Sequence, residues 1–222
     1  MTKRMFIFII ALIFILLGVQ LLLFLHTEVR RIEQEVTQSE KKEEKSEPST
    51  ENPKVTQSKT KPISDAKSRV TKKPFGIYVT PQSSPVKPEK FTGYHTGTDF
   101  ETTSEEKNQA ISVYALCTGK TRVKQIVSGY GGVIVQDCAL DRQSVTVLYG
   151  HIDIRQSKAQ VGQQIRSGEK ISVLASAYSQ YSGGERKHLH LGIYKGNDID
   201  YRGYVQNKSE LSGWLNAQKY LN

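Results

Sequence analysis

Cysteine is nearly absent, two residues in 222, too few for the disulfide framework that replaces a hydrophobic core in small secreted domains. Apolar side chains are scarce between residues 26 and 73, where only Val29, Ile32, Val36, Val55, Ile63, Ala66 and Val70 qualify among 48 residues. Such a stretch does not bury enough surface to offset chain entropy, and it reads as a flexible linker. Also missing is any dense run of Lys and Arg interleaved with aromatics. The net charge of +9 is spread as +2 over residues 1–25, +3 over 26–73 and +4 over 74–222. That scatter excludes the basic stripe of a nucleic-acid binder and suits a protein near an anionic membrane or cell wall. What remains is one hydrophobic span and one domain-sized segment, residues 74–222, in which 55 of 149 residues are apolar. A multidomain protein is excluded.

In Met5–Leu25, 19 of 21 residues are apolar, Gly18 and Gln20 being the exceptions. About 20 such residues cross a bilayer as a helix. Lys3 and Arg4 precede the span and favour a cytoplasmic N-terminus, although Arg30 and Arg31 beyond it weaken that bias. The competing reading is a cleaved signal peptide, but the run is long and residues 20–26 offer no A-x-A-like cleavage site. The span is therefore read as an uncleaved single-pass anchor, with helix extending briefly past Glu28. The linker then provides reach from the membrane for the domain that follows, which lies outside the cytoplasm.

From Ile111 onward the sequence alternates short β-favouring runs with glycine turns: Ile111–Cys117, Thr121–Val127, Val133–Cys138, Ser144–Tyr149, Lys170–Ala175 and Leu189–Tyr194. The spacing predicts an all-β, antiparallel, sandwich-like domain, closed by a short helix over Ser209–Leu221 with Ser209 as its cap. Pairing of Thr121–Val127 with Val133–Cys138 through Gly129–Gly132 returns Cys138 towards Cys117. In an oxidising compartment that favours a disulfide; two buried free thiols are the alternative.

Four of the five histidines fall in this domain, in three short patterns. His95-Thr-Gly-Thr-Asp99 supplies an imidazole and a carboxylate. Tyr149-Gly150-His151 ends a valine-rich strand. His188-Leu-His190 places two imidazoles on one strand face, with Leu189 and Leu191 turned to the core. Two imidazoles and a carboxylate suffice to hold Zn²⁺ with a fourth position open. His26, beside the membrane span, is read as interfacial.

These patterns, in this order, resemble the LytM/lysostaphin-type zinc metallopeptidases, which cut peptides of bacterial peptidoglycan. Val113-Tyr114-Ala115, Gly129-Tyr-Gly-Gly-Val-Ile-Val135 and Val161-Gly-Gln-Gln-Ile-Arg-Ser-Gly-Glu-Lys-Ile171 support the resemblance, which covers Phe75 to Tyr194. It implies one zinc per chain on His95, Asp99 and His190, with His151 and His188 as catalytic histidines. Two stretches depart from the family pattern. Residues 101–109 form a polar connection where a shorter, proline-marked one is usual, and Ser182-Gly-Gly-Glu-Arg-Lys187 replaces the usual Ser-Thr-Gly-Pro.

The expected function is a membrane-anchored zinc metalloendopeptidase cutting peptidoglycan stems or cross-bridges. The alternative is a non-catalytic relative that binds wall peptides or activates another hydrolase; full occupancy of the five site positions speaks against it.

Overall fold

The computed structural model describes residue 20, residues 24–31 and residues 60–221. Most of the expected membrane span Met5–Leu25, and residues 32–59 of the expected linker, lie outside the described residues. Residues 24–31 are helical, and among the described residues no helix is long and apolar enough to cross a membrane. The chain divides into two units, Met1–Val55 and Thr56–Asn222, and all that follows concerns the second.

Its elements are a single-turn helix α1 (Ala66–Arg69) and eleven strands: β1 (Tyr78–Val79), β2 (Gly93–His95), β3 (Gly97–Glu101), β4 (Ser112–Tyr114), β5 (Gly119–Val127), β6 (Gly131–Leu140), β7 (Gln143–Gly150), β8 (Gln164–Ile165), β9 (Lys170–Val173), β10 (His188–Lys195) and β11 (Tyr204–Val205). Six strands form the main sheet in the order β3-β10-β7-β6-β5-β8, flanked by a three-stranded sheet β1-β2-β11 and the pair β4-β9. Every pairing is antiparallel, as the all-β reading requires, and β5 and β6 pair through the glycine turn as expected.

Alternation along the strands divides the main sheet into two faces. Phe100, Ile134, Val147, Tyr149, Leu189, Leu191 and Ile193 point into the larger core, joined by Val113, Ile171 and Leu174 from around the β4-β9 pair. Within it the Tyr149 hydroxyl accepts from the Leu116 amide (2.8 Å) and donates to Gln136 Oε1 (3.1 Å). Gln136 Nε2 in turn donates to the carbonyls of Cys117, Gly119 and Ile165. This buried polar knot ties the ends of β5 and β8 to the disulfide, which joins Cys117 to Cys138 across a Cα separation of 6.0 Å, inside the normal range. The opposite face carries a small cluster of Tyr130, Val133, Val135 and Leu148 and, beside it, the histidines.

Two expectations are corrected. The C-terminal segment forms no α-helix: 3₁₀ turns occupy Lys208–Gly213 and Ala217–Tyr220, and the first has Asn207 at its cap rather than Ser209. Between them Trp214 is extended, bridged to Tyr194, with the Leu215 amide on the Ile193 carbonyl (2.9 Å). With its amide committed to Ile193, Leu215 cannot donate back along its own segment as a continuous helix requires. The linker also ends earlier than residue 73. Ile63 and Ala66 are fully buried in the core, and Arg69 and Lys73 are buried with them. The two cations are neutralised: Arg69 forks onto Glu106, and Lys73 pairs with Glu89. Charged residues are buried only with such partners, and a count of apolar residues does not register them.

Candidate metal centre

The His95–Asp99 spacing of four is not a helical turn. β2 ends at His95, the chain steps over Thr96, and β3 begins at Gly97, so the two side chains arrive from different sheets. In the main sheet His190 is the register partner of Asp99 on one side and of Gly150 on the other. That register, set by Leu189 and Leu191 in the core, delivers His190 beside Asp99 on the opposite face. Gly97 makes room for it: a Cβ there would lie 2.4 Å from His190 Cε1 and Nε2.

The three atoms His95 Nε2, Asp99 Oδ1 and His190 Nδ1 are mutually 3.1, 3.1 and 3.4 Å apart, and among the described residues they form the one cluster suited to a metal ion. Ligand atoms about 2.0–2.1 Å from a tetrahedral Zn²⁺ stand roughly 3.3 Å from one another. The protonation pattern fits as well. His95 Nδ1 faces the Pro74 carbonyl (3.3 Å), an acceptor, so the proton sits there and Nε2 offers a lone pair. His190 Nε2 faces the Tyr130 hydroxyl (3.4 Å), leaving Nδ1 for the cluster. Burial first, then the neighbouring imidazoles, take His190 down to about 4 against the pull of Asp99, so its ring is neutral near pH 7. Burial alone would raise Asp99, but the surrounding histidines, His188 and His95 foremost, outweigh it and hold the carboxyl well below the usual range. A carboxylate and two imidazoles, converging with a partner behind each, are compatible with a Zn²⁺ donor set.

His151 and His188 stand beside the ligands, ring centroids 4.4 Å apart. His151 has a left-handed backbone, φ 61°, a conformation uncommon outside glycine and tolerated better by His, Asn and Asp. It turns the chain off the end of β7, with the His151 amide on the Tyr130 carbonyl and its own carbonyl accepting from Ala175. Its Nδ1–H donates to the Ser182 carbonyl (2.8 Å), so Nε2 carries the lone pair. Burial, reinforced by His188 and His190, pushes His151 well below the normal histidine range. His188 differs: Nδ1 donates to the Arg186 carbonyl (2.9 Å) while Nε2 lies 3.3 Å from Asp99 Oδ2. Acceptors at both nitrogens suit a ring that donates.

All five side chains line one open cavity of about 290 Å³, walled by Phe91, Tyr201 and Tyr204. Every site residue expected from the sequence is thus in one place. Sequence reasoning missed Tyr130, Arg186 and the carbonyl of Pro74. Tyr130 was visible only as part of a glycine turn, Arg186 only as a departure from a pattern, and a backbone carbonyl leaves no signal.

Comparison with known proteins follows the same lines. Residues 93–201 match the model of peptidase family M23. No curated protein sequence matches. Among solved structures, LytU is 21% identical, with 68% of this chain and 83% of that one covered at a TM-score of 0.47. The cbpA protein of L. salivarius REN is 21% identical (67% and 83% covered, TM-score 0.43). A zinc-containing peptidase from Vibrio cholerae is 20% identical (64% and 40% covered, TM-score 0.40), so the chain spans less than two thirds of that protein. Through residues 93–201, which carry both halves of the His–Asp cluster and both flanking histidines, the chain belongs to peptidase family M23.

Proposed function

We propose that this protein is a zinc metalloendopeptidase that hydrolyses peptide bonds in peptidoglycan stems or cross-bridges. One observation carries the reading: three ligand atoms at tetrahedral spacing share a cavity with two further histidines that have opposite hydrogen-bonding roles. When bound, zinc supplies Lewis acidity at the peptide carbonyl and lowers the pKa of water. The protein supplies the rest. His151, neutral and with Nε2 unprotonated, accepts the proton of the attacking water. His188, flanked by acceptors, donates to the charge that develops on the carbonyl oxygen. Two histidines with different hydrogen-bonding surroundings thus divide the base and donor roles between them. Phe91 and Tyr204, stacked at 5.2 Å, form an apolar wall for the substrate chain.

The family match supports a peptidase; the substrate follows from the resemblance of the motifs. The +9 charge suits an anionic envelope. In this reading Met5–Leu25 anchors the protein in the cell membrane with the peptidase unit outside the cytoplasm. The full-length protein is expected to clear a suspension of purified peptidoglycan and release new amino termini, and a chelator is expected to stop it. Clearance that survives complete zinc removal refutes the reading. Protease added to spheroplasts is expected to remove the segment from His95 to His190 and spare the N-terminus; a soluble protein starting near residue 26 would show a cleaved leader instead.

A further inference from the structure

Asp99 has two carboxylate oxygens, and only Oδ1 faces the ligand cluster. Oδ2 faces away from it, 2.8 Å from Arg186 Nη2, the nearer of its two partners, with His188 Nε2 at 3.3 Å. Arg186 is largely buried, its side chain 13% exposed, and it is doubly anchored. Its Nε donates to Glu101 Oε2 at 2.9 Å, and Nη2 reaches Glu101 Oε1 as well. Glu101 follows Asp99 by two residues on β3 and so shares its face of the sheet. One planar guanidinium therefore spans two carboxylates on the same strand, a geometry that lysine cannot reproduce.

The two departures from the family pattern meet at this point. The Thr102 hydroxyl donates to the Lys187 carbonyl (2.8 Å), and Lys187 Nζ donates to the carbonyls of Glu106, Lys107 and Gln109. The polar connection 101–109 and the segment 186–187 are thus one packed unit, with Arg186 at its inner end and the metal centre beyond.

The geometry points to Arg186 as a positioning residue for the metal centre: by occupying Asp99 Oδ2 it confines Asp99 to coordination through Oδ1 alone. A carboxylate free to use both oxygens raises the coordination number and closes the position that catalysis needs open. The inference rests on the zinc reading above and concerns how the ligand is held, not whether metal binds.

The test loads Co²⁺ into the full-length protein and reads its visible absorption, which is intense at four-coordinate sites and weak at six-coordinate ones. Wild type is expected to show the intense spectrum. Arg186→Gln is expected to bind cobalt but with absorption reduced several-fold, as Oδ2 joins the ligands. Glu101→Gln, which loosens the other anchor of Arg186, is expected to shift the spectrum in the same direction by less. Arg186→Lys is expected to recover part of the intensity, since one N–H still reaches Oδ2. Lys187→Gln, which releases the 101–109 connection while leaving Arg186 on Asp99, is expected to keep the wild-type spectrum. A wild-type spectrum in both Arg186→Gln and Glu101→Gln overturns the proposal. So does an equal change in Lys187→Gln, which would make the effect one of loop packing. Should Arg186→Gln fail to fold, Glu101→Gln and Arg186→Lys decide the question. Failure of wild type to bind cobalt or zinc would instead refute the metal reading itself.

Discussion

Gly97→Ala tests the site at its tightest point. The added Cβ would stand 2.4 Å from two atoms of the His190 ring and 3.0 Å from the Leu191 carbonyl oxygen. Non-bonded heavy atoms rest about 3.5–4.0 Å apart, so the ring must move by roughly 1.1 Å or more. A metal ligand tolerates only about 0.2 Å, and His190 has little room to yield, with Asp99 at 3.1 Å on one side and Tyr130 at 3.4 Å on the other. The backbone at Gly97 lies outside the left-handed region that favours glycine, so the perturbation is steric and falls chiefly on the His190 ring. Misplacing a ligand costs more than losing the partner behind it, which alone weakens binding about 10–100-fold. Zinc affinity is therefore expected to fall about 100-fold or more, or ~2.7 kcal/mol. Competition against a chromophoric chelator measures the affinity, and circular dichroism with metal removed confirms that the fold is kept. A variant that folds and binds zinc as wild type does would show that His190 is not held against β3 as described.

Other outcomes follow from the same structure. His151→Ala and His188→Ala are expected to keep stoichiometric zinc while turnover on peptidoglycan falls roughly 10²- to 10⁴-fold, the usual worth of one acid–base group; wild-type turnover in either would remove that residue from the mechanism. Reducing the Cys117–Cys138 bridge, which closes a separation of 21 residues, is expected to cost about 3 kcal/mol by chain entropy, read as a lower urea midpoint. Tyr149→Phe strands the Leu116 amide and Gln136 Oε1 and is expected to cost about 1–3 kcal/mol in the same assay. The hydrogen bonds and charge of Arg69 lower Glu106 to about 2, a depressed folded-state value. Its stabilisation is thus complete above the unfolded value near 4.3 and is lost as pH falls towards 2. Metal-free Glu106→Gln is therefore expected to lose less stability than metal-free wild type between pH 4.5 and 2, and parallel curves would refute the pairing.

The β-rich core was legible because its strands are built from branched and aromatic residues that alternate between faces, as in Val145, Val147 and Tyr149 of β7. β2 and β3 were not, since Tyr94-His-Thr-Gly-Thr-Asp99 offers no apolar alternation. Apart from Phe100, which enters the core, β3 is buried through polar residues, with Asp99 and Glu101 held by ion pairs. The ligands and histidines were legible from motif order, because their chemistry requires those residue types. The supports behind them were not: Arg186 becomes informative only when Glu101 and Asp99 are seen on the same face. The C-terminal segment misled because Leu211, Trp214 and Leu215 carry a helical spacing, while Trp214 is committed to a bridge with Tyr194.

Two backbone carbonyls lie outside the family match yet support the candidate metal centre. The Asp99 amide donates to the Lys73 carbonyl (3.0 Å), and His95 Nδ1 donates to that of Pro74 (3.3 Å). Upstream of them the same run of chain is fastened at Pro62, whose carbonyl accepts from the Tyr114 amide, and at Ile63 and Ala66 in the core. Cutting the chain at residue 93, where the match begins, spares every ligand side chain but removes the acceptors that orient two of them. On the zinc reading proposed above, retention of the metal, rather than the extent of the family match, would set the N-terminal limit of the working unit.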